Sequence, residues 1–244
     1  MLSGFFGREE QPSVTFESIP KPSGVRLITH LSGPIATEYR HAVGSTVPWV
    51  EGSLTAAVAA ERVTSRLGPD GPRIVPMDLG DARSRCRARA RALSTSRPGP
   101  VILADVRACY GSIAPAVAER CVRALGLLDA AARIRDVLER FAELGVPGLP
   151  IGPRASVVLA NTVLSRIDRE IEAAGALHVR WVDDLAIFAG DRDPESVLLR
   201  VVEALDRLGL SLAEDKSAIG PLTATRFGRS LARPSVAHVE GSLG

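Results

Sequence analysis

Cysteine is rare in this 244-residue sequence, and the three that occur, Cys86, Cys109 and Cys121, show no CxxC or other metal-ligand spacing. An odd number of cysteines without such spacing fits a reduced compartment. The amino-terminal segment lacks a cationic start followed by an apolar core, and no apolar run is long enough to span a bilayer. We therefore expect a cytoplasmic protein with no membrane partner.

Lysine is also scarce: the sequence has only Lys21 and Lys216. Since lysine and arginine together number 30, the arginines number 30 − 2 = 28. The net charge is only +2, so any affinity for nucleic acid depends on where the charge lies along the chain. With 45% hydrophobic and 24% charged residues the composition is that of a globular protein. It excludes a disordered chain and allows one large domain or two intimate subdomains.

Two adjacent aspartates, Asp183 and Asp184, stand between the short apolar runs LHVRWV and LAIFAG. Alternation within each run predicts two strands that meet at a tight turn, with the aspartates at the tip of the hairpin. Aspartate is unfavourable in strands and costly to bury unpaired. An adjacent pair at this place therefore indicates either a solvated polar turn or a site for a cation.

A third acid, Asp105, ends a predicted buried strand in PVILADVRACYGSI, and Tyr110 follows five residues later. An acid at the carboxyl end of such a strand can point into a cleft that the aromatic ring lines. Two amphipathic helices are predicted next, at 114–128 and 129–144, and a Gly/Pro loop then leads into a helix from Ala155. After the aspartate hairpin we expect a helix at 194–209, then a short strand, a turn and Lys216.

The amino-terminal part predicts a turn at Lys-Pro-Ser-Gly, a strand over Val25–Thr29 and a helix over 53–67. A basic helix is expected at 81–97, where no acid occurs between Asp81 and Asp105. Spacing by two spreads its arginines around most of the helix. Two interpretations stay open for this tract, a solvated helix or a backbone-binding patch for nucleic acid formed by Arg83, Arg85, Arg87, Arg89 and Arg91.

Four ordered stretches resemble motifs A, B, C and D of the reverse transcriptases: DVRACYGSI, GLPIGPRASVVLAN, WVDD and LGLSLAEDKSAI. The stretch PKPSGVRLITHLS resembles the fingers motif of the bacterial members. The resemblance covers roughly residues 19–220 and is nearest to the group II intron, retron and abortive-infection or defence-associated enzymes. It implies an α/β (α+β) fold with a fingers and palm core, in which helices back an antiparallel palm sheet.

This resemblance assigns roles to individual residues. Asp105 and Asp183 would be the main ligands of two Mg²⁺ ions, or of Mn²⁺, with Asp184 supporting them. Tyr110 matches the aromatic gate that excludes a ribose 2′-hydroxyl, and Lys216 matches the lysine that protonates the leaving pyrophosphate. The incoming nucleotide would contact Arg26, Lys21, Pro150, Ile151 and Gly152, and Trp181 would lie beside the primer terminus.

Two positions depart from the family pattern. Ile151 replaces the usual glutamine after Leu-Pro, which puts nucleotide selection in doubt, and Trp181 replaces a tyrosine or phenylalanine. We expect fingers over 1–99, a palm over 100–220 and a short tail over 221–244 with no recognisable thumb. The basic tract, a second copy of the chain or a partner protein would then supply the grip on the duplex.

The predicted function is an RNA-directed DNA polymerase that uses an RNA template, a DNA primer and deoxynucleotides in a bacterial defence or retroelement context. One alternative is a template-independent or protein-primed nucleotide polymerase of the defence type. A second alternative is a non-enzymatic RNA-binding subunit with the same fold. The joint presence of three carboxylates, Tyr110 and Lys216 argues against the latter.

Overall fold

A four-stranded antiparallel sheet lies at the centre of the structure, a computed structural model that describes residues 13–21, 24–54, 63–68, 71–76 and 79–222. Its strands run in the order β6 (Leu177–Trp181), β7 (Asp184–Phe188), β5 (Val101–Asp105) and β8 (Ala218–Gly220). The hairpin β6–β7 and the strand β5 confirm the sequence-based predictions for these segments.

Helices cover both faces of this sheet. On one face Ile102, Ala104, Leu185 and Ile187 pack into the main core, which includes the buried side of α7 (Arg154–Ala173). On the other face Val101, Leu103, Ala186 and Phe188 pack with Cys86, Ala90 and Leu93 of α3 (Leu79–Ser96). Because both faces are covered, β5, β6 and β7 each contain a run of buried residues rather than an alternation of buried and exposed ones.

Two hairpins and two short helices make up the amino-terminal part. β1 (Ser13–Lys21) pairs with β2 (Gly24–Ser32), which confirms the predicted strand, and β3 (Val63–Gly68) pairs with β4 (Gly71–Pro76). Pro22 and Ser23 of the predicted turn lie outside the described residues. Between them lie α1 (Gly33–Gly44) and α2 (Val47–Ser53). The helix predicted over 53–67 is wrong where it overlaps β3, because pairing with β4 satisfies a backbone whose helix propensity is only a weak preference. Residues 55–62 lie outside the described part.

The helices of the second half agree with the predictions: α5 (Pro115–Arg123), α6 (Leu128–Glu143), α7 and α8 (Pro194–Asp206). A short helix, α4 (Cys109–Ser112), follows β5. The strand predicted before Lys216 is reduced to one bridge between Val106 and Leu212, and the actual strand, β8, follows that lysine. None of the helices within the described residues combines the length and the apolar character needed to cross a membrane.

Candidate active site

The pairing of β5 with β7 brings two of the predicted carboxylates together. Asp105, the last residue of β5, lies directly opposite Asp184, the first residue of β7. Side chains alternate along a strand, so both residues share the sheet face of Leu103 and Ala186, which is the face that carries α3. Two carboxylates from distant parts of the sequence thus meet at one end of the sheet.

The third carboxylate, Asp183, lies in the two-residue turn between β6 and β7. Val182, the first residue of that turn, has a φ of 54°, in the left-handed region that β-branched residues rarely adopt. Two-residue hairpin turns need a positive φ at this position and usually place glycine, asparagine or aspartate there. The backbone carbonyl of Asp183 accepts a hydrogen bond of 3.1 Å from the Val106 N–H, which ties the turn to the end of β5.

The pairing of β8 with β5 brings Lys216 to the same place. Its Nζ donates to both carboxylate oxygens of Asp105, at 3.2 and 3.5 Å. The Asp105 N–H donates to Ser217 Oγ at 3.3 Å, and the Asp105 carbonyl accepts from the Ala213 N–H at 2.8 Å. One of the two lysines of the sequence therefore forms an ion pair with a predicted metal ligand.

The site concentrates negative charge in a largely buried place. Burial raises the pKa of Asp184, and the charges of Asp183 and Asp105, together with a hydrogen bond to Asp105, raise it further to about 7, although Lys216 opposes this shift. Burial and the charge of Asp105 also raise the pKa of Asp183, against the opposing charges of Arg26 and Lys216. Both shifts mean that the ionised carboxylates lack sufficient compensating positive charge.

This donor set fits Mg²⁺ bound together with substrate phosphates. Carboxylate oxygens are ligands that Mg²⁺ prefers, and it is usually held by one or two of them, with water and phosphates completing the shell. Within the described residues, no three His, Cys, Asp or Glu side chains are arranged to hold a metal ion by themselves. The protein part of such a site would therefore consist of Asp105, Asp183 and Asp184 acting with the substrate.

The β1–β2 hairpin reaches the same site. Arg26 of β2 is exposed and close enough to lower the pKa of Asp183. The Thr29 N–H donates to the Ile151 carbonyl at 2.6 Å, which joins β2 to the Gly/Pro loop. At Gly152, φ is +126° and an added Cβ would approach the Thr29 carbonyl oxygen to 3.2 Å, so glycine is required at this close approach. Pro150 of the same loop is buried.

Tyr110 lies beside the Gly/Pro loop. Its ring packs against the main core and is half-buried, and its carbonyl accepts from the Leu149 N–H at 2.8 Å. At Gly148 an added Cβ would lie 2.4 Å from the Gly111 carbonyl oxygen. The predicted gate residue and the predicted nucleotide-binding loop are therefore adjacent.

The basic tract forms α3, as predicted, but its arginines do not surround the whole helix, because Cys86, Ala90 and Leu93 form a buried stripe against the sheet. Arg85 and Arg91 are exposed, whereas Arg87 and Arg89 are half-buried. Trp181 of β6 packs partly buried against the same cluster. The side chains of two further predicted residues, Lys21 at the end of β1 and Arg83 in α3, lie outside the described part.

A buried polar cluster next to the site was missed from the sequence. It joins β6 to α7 through His178, Arg180, Asp168 and Asn161, all at most 2% exposed. Arg180 lies inside the apolar run that predicts β6, and an arginine within a buried strand is the signal that could have identified the cluster.

No protein-family profile and no curated protein matches the sequence. Telomerase from Candida albicans, solved with the TWJ fragment of telomeric RNA, is similar in structure at a TM-score of 0.53 and 14% identity, over 88% of this chain and 42% of that one. Apo telomerase from Candida tropicalis, truncated from its C-terminal domain, is similar at a TM-score of 0.51 and 12% identity, over 84% of this chain and 49% of that one. The apo telomerase of the same organism is similar at a TM-score of 0.52 and 10% identity, over 86% of this chain and 44% of that one.

This chain thus spans less than half the length of each of these telomerase chains. At such identities the likeness concerns the fold and not the activity. The mixed helix and sheet architecture, with its antiparallel central sheet, is similar to the fold of these telomerase structures.

Proposed function

We propose that this protein is an RNA-directed DNA polymerase of the bacterial group II intron, retron or defence-associated type. The observation that supports it best is the cross-strand pair Asp105–Asp184, with Asp183 in the adjoining turn and Lys216 on Asp105. Like charges directly opposite each other on two strands are destabilising, so this arrangement serves stability poorly and cation binding well. An RNA template, a DNA primer and deoxynucleotides are the proposed partners.

Two Mg²⁺ ions, or Mn²⁺, would be held by Asp105, Asp183 and Asp184. When bound, they supply activation of the attacking 3′-hydroxyl and neutralisation of the leaving phosphates. The raised pKa values of Asp183 and Asp184 support this assignment, because a cation removes the charge repulsion that raises them.

The remaining residues position the substrate in this proposal. Arg26 contacts the triphosphate through its guanidinium fork, and the loop around Pro150, Ile151 and Gly152 lies along the nucleotide. The Tyr110 ring fills the space of a ribose 2′-hydroxyl. Lys216, which now pairs with Asp105, would hold its proton at Nζ for the leaving pyrophosphate, and cations held by Asp105 would compensate that carboxylate in its place.

The telomerase from Candida albicans is bound to a telomeric RNA fragment, which supports RNA as a partner of a chain with this fold. Trp181 packs on the sheet face that carries Asp105 and Asp184, and α3, which bears the exposed arginines Arg85 and Arg91, covers the same face. We assign Trp181 and these arginines to contacts with the nucleic acid.

A primer-extension assay tests the proposal. We expect Mg²⁺-dependent extension of a DNA primer on an RNA template, its loss in Asp183→Ala, and its retention in Asp191→Ala, an exposed acid just after the same hairpin. Equal incorporation without template would instead favour the template-independent polymerase. RNA binding without any incorporation by the wild type would favour the non-enzymatic RNA-binding subunit.

A further inference from the structure

Arg180 is among the largest fully buried side chains of the described residues, and it lies three residues before Asp183. The strand alternation that directs Trp181 toward α3 directs Arg180 to the opposite face of the sheet, toward α7. A charged side chain at this depth needs a partner that compensates for its lost hydration. The contacts of Arg180 show how this is achieved.

One end of the guanidinium is fixed by Asp168 of α7. Nε and Nη2 each donate to an Asp168 carboxylate oxygen at 2.9 Å, a bidentate contact of fixed geometry. Nη1 donates to Asn161 Oδ1 at 2.9 Å, and His178 Nε2 donates to Asp168 Oδ1 at 2.9 Å. Asp168 and Asn161 of the long buried helix α7 therefore hold the Arg180 group in one orientation, and His178 of the edge strand β6 adds a further contact to Asp168.

The other contact of Arg180 leads to the turn. Nη1 also donates to the backbone carbonyl of Val182 at 3.0 Å. Val182 is the residue with the positive φ, and such a conformation in a β-branched residue persists only where the surrounding structure enforces it. The carbonyl of the next residue, Asp183, is held by the Val106 N–H. Two consecutive carbonyls of the turn are thus each held by a hydrogen bond.

We propose that Arg180 is a positioning residue, anchored by Asp168 and Asn161, which holds the Val182 carbonyl and so sets the orientation in which the turn presents Asp183. The part of this inference that concerns activity rests on the proposed polymerase function. Buried ion pairs are often no more stabilising than apolar residues of similar volume. The Arg180–Asp168 ion pair also donates, through Nη1 of Arg180, to the turn. Its presence is therefore explained better by the orientation of the turn than by a gain in stability.

Arg180→Lys is the variant that separates orientation from charge. Lysine keeps a positive charge for Asp168, but its single ammonium cannot reproduce the fork that contacts Asp168, Asn161 and Val182 together. We expect kcat for nucleotide addition to fall about 100-fold, as for a misplacement of about 1 Å, with KM for the nucleotide little changed. Asn161→Ala, which leaves the charge pair intact, should lower kcat in the same direction by a smaller factor.

The matched control is His178→Leu, which removes a contact to Asp168 but none to the turn. A second readout does not depend on activity. It is the hydrogen-exchange rate of the Val106 amide, which donates to the Asp183 carbonyl. The Leu149 amide, which donates to the Tyr110 carbonyl, is the reference. We expect faster exchange at Val106 in Arg180→Lys and Asn161→Ala, with Leu149 unchanged, and no selective change in His178→Leu.

Wild-type kcat and unaltered Val106 exchange in both Arg180→Lys and Asn161→Ala would overturn the proposal. Equal loss of kcat in His178→Leu would also overturn it, because it would show a general structural role of the cluster. If the wild type shows no nucleotide addition, the polymerase function fails on its own, and the exchange comparison alone decides whether Arg180 positions the turn. If Arg180→Lys does not fold, Asn161→Ala decides both readouts.

Discussion

Asp105 and Asp184 lie directly opposite each other on antiparallel strands, and burial together with the charges of Asp183 and Asp105 raises the pKa of Asp184. Like charges in this relationship destabilise a strand pair by up to about 1 kcal/mol. Lys216, at 3.2 Å from Asp105, offsets part of that repulsion. The structure therefore keeps an unfavourable pair at the end of its central sheet, which is expected of a functional site rather than of a scaffold.

Replacing one carboxylate should separate activity from stability. We expect Asp183→Ala and Asp105→Asn to abolish nucleotide addition while the free energy of unfolding stays near the wild-type value, because lost contacts are offset by reduced carboxylate repulsion. Urea unfolding and the primer-extension assay measure the two effects. Undiminished Mg²⁺-dependent synthesis by either variant would refute the assignment of these residues.

Tyr110 should determine the choice of sugar. Tyr110→Ala is expected to admit ribonucleotides, since the volume of the ring is the proposed barrier, whereas Tyr110→Phe keeps the ring and should keep the discrimination. The ratio of kcat/KM for deoxynucleotides and ribonucleotides measures this in the wild type and both variants. A wild type without preference, or an alanine variant with an unchanged ratio, would remove the gate role.

The exposed arginines of α3 should contribute affinity for nucleic acid and not chemistry. For the double variant Arg85→Gln/Arg91→Gln we expect weaker template binding and a salt slope reduced by about 1.5, at roughly 0.7–0.9 for each lost phosphate contact. Single-nucleotide addition at saturating template should persist. The exposed arginines Arg133 and Arg200 on other helices provide the matched control pair. An unchanged slope in the α3 variant would assign this helix to the solvated surface.

Asp168 should make the free energy of unfolding depend on pH in the acid range. Burial alone would raise its pKa, but the charge of Arg180 and the hydrogen bonds from His178 and Arg180 outweigh burial and lower the pKa to about 2. A folded-state pKa below the unfolded value contributes stability above about pH 4, and that stability is lost as the pH falls toward about 2.

We therefore expect Asp168→Asn to destabilise the protein by about 3–5 kcal/mol at pH 7, since it leaves a buried charge unpaired. The difference from wild type should shrink as the pH falls toward 2. Asp136→Asn, at an exposed position of α6, serves as the control. Urea unfolding across this pH range measures the effect, and a difference independent of pH would contradict it.

Several parts of the fold follow from local sequence signals. The pattern of apolar residues predicts the hairpin around Asp183, the strand that ends at Asp105 and the helices α5 to α8, because each buries one side or both sides of a single element. Prediction fails over 63–67, where pairing with β4 overrides helical composition. It also fails before Lys216, where the chain forms one bridge only and the strand follows the lysine.

The sequence by itself determined which chemical groups are available: three aspartates at ends of strands, an aromatic residue after the first of them, and a lysine near the end. Only the tertiary structure decided that Asp105 faces Asp184, that Lys216 reaches Asp105, and that Arg180 holds the turn through Asp168 of α7. The physical reason is that these contacts depend on strand register and on helix packing across the sheet. Such long-range pairings are set by how the whole core is buried, and a local sequence pattern does not contain that information.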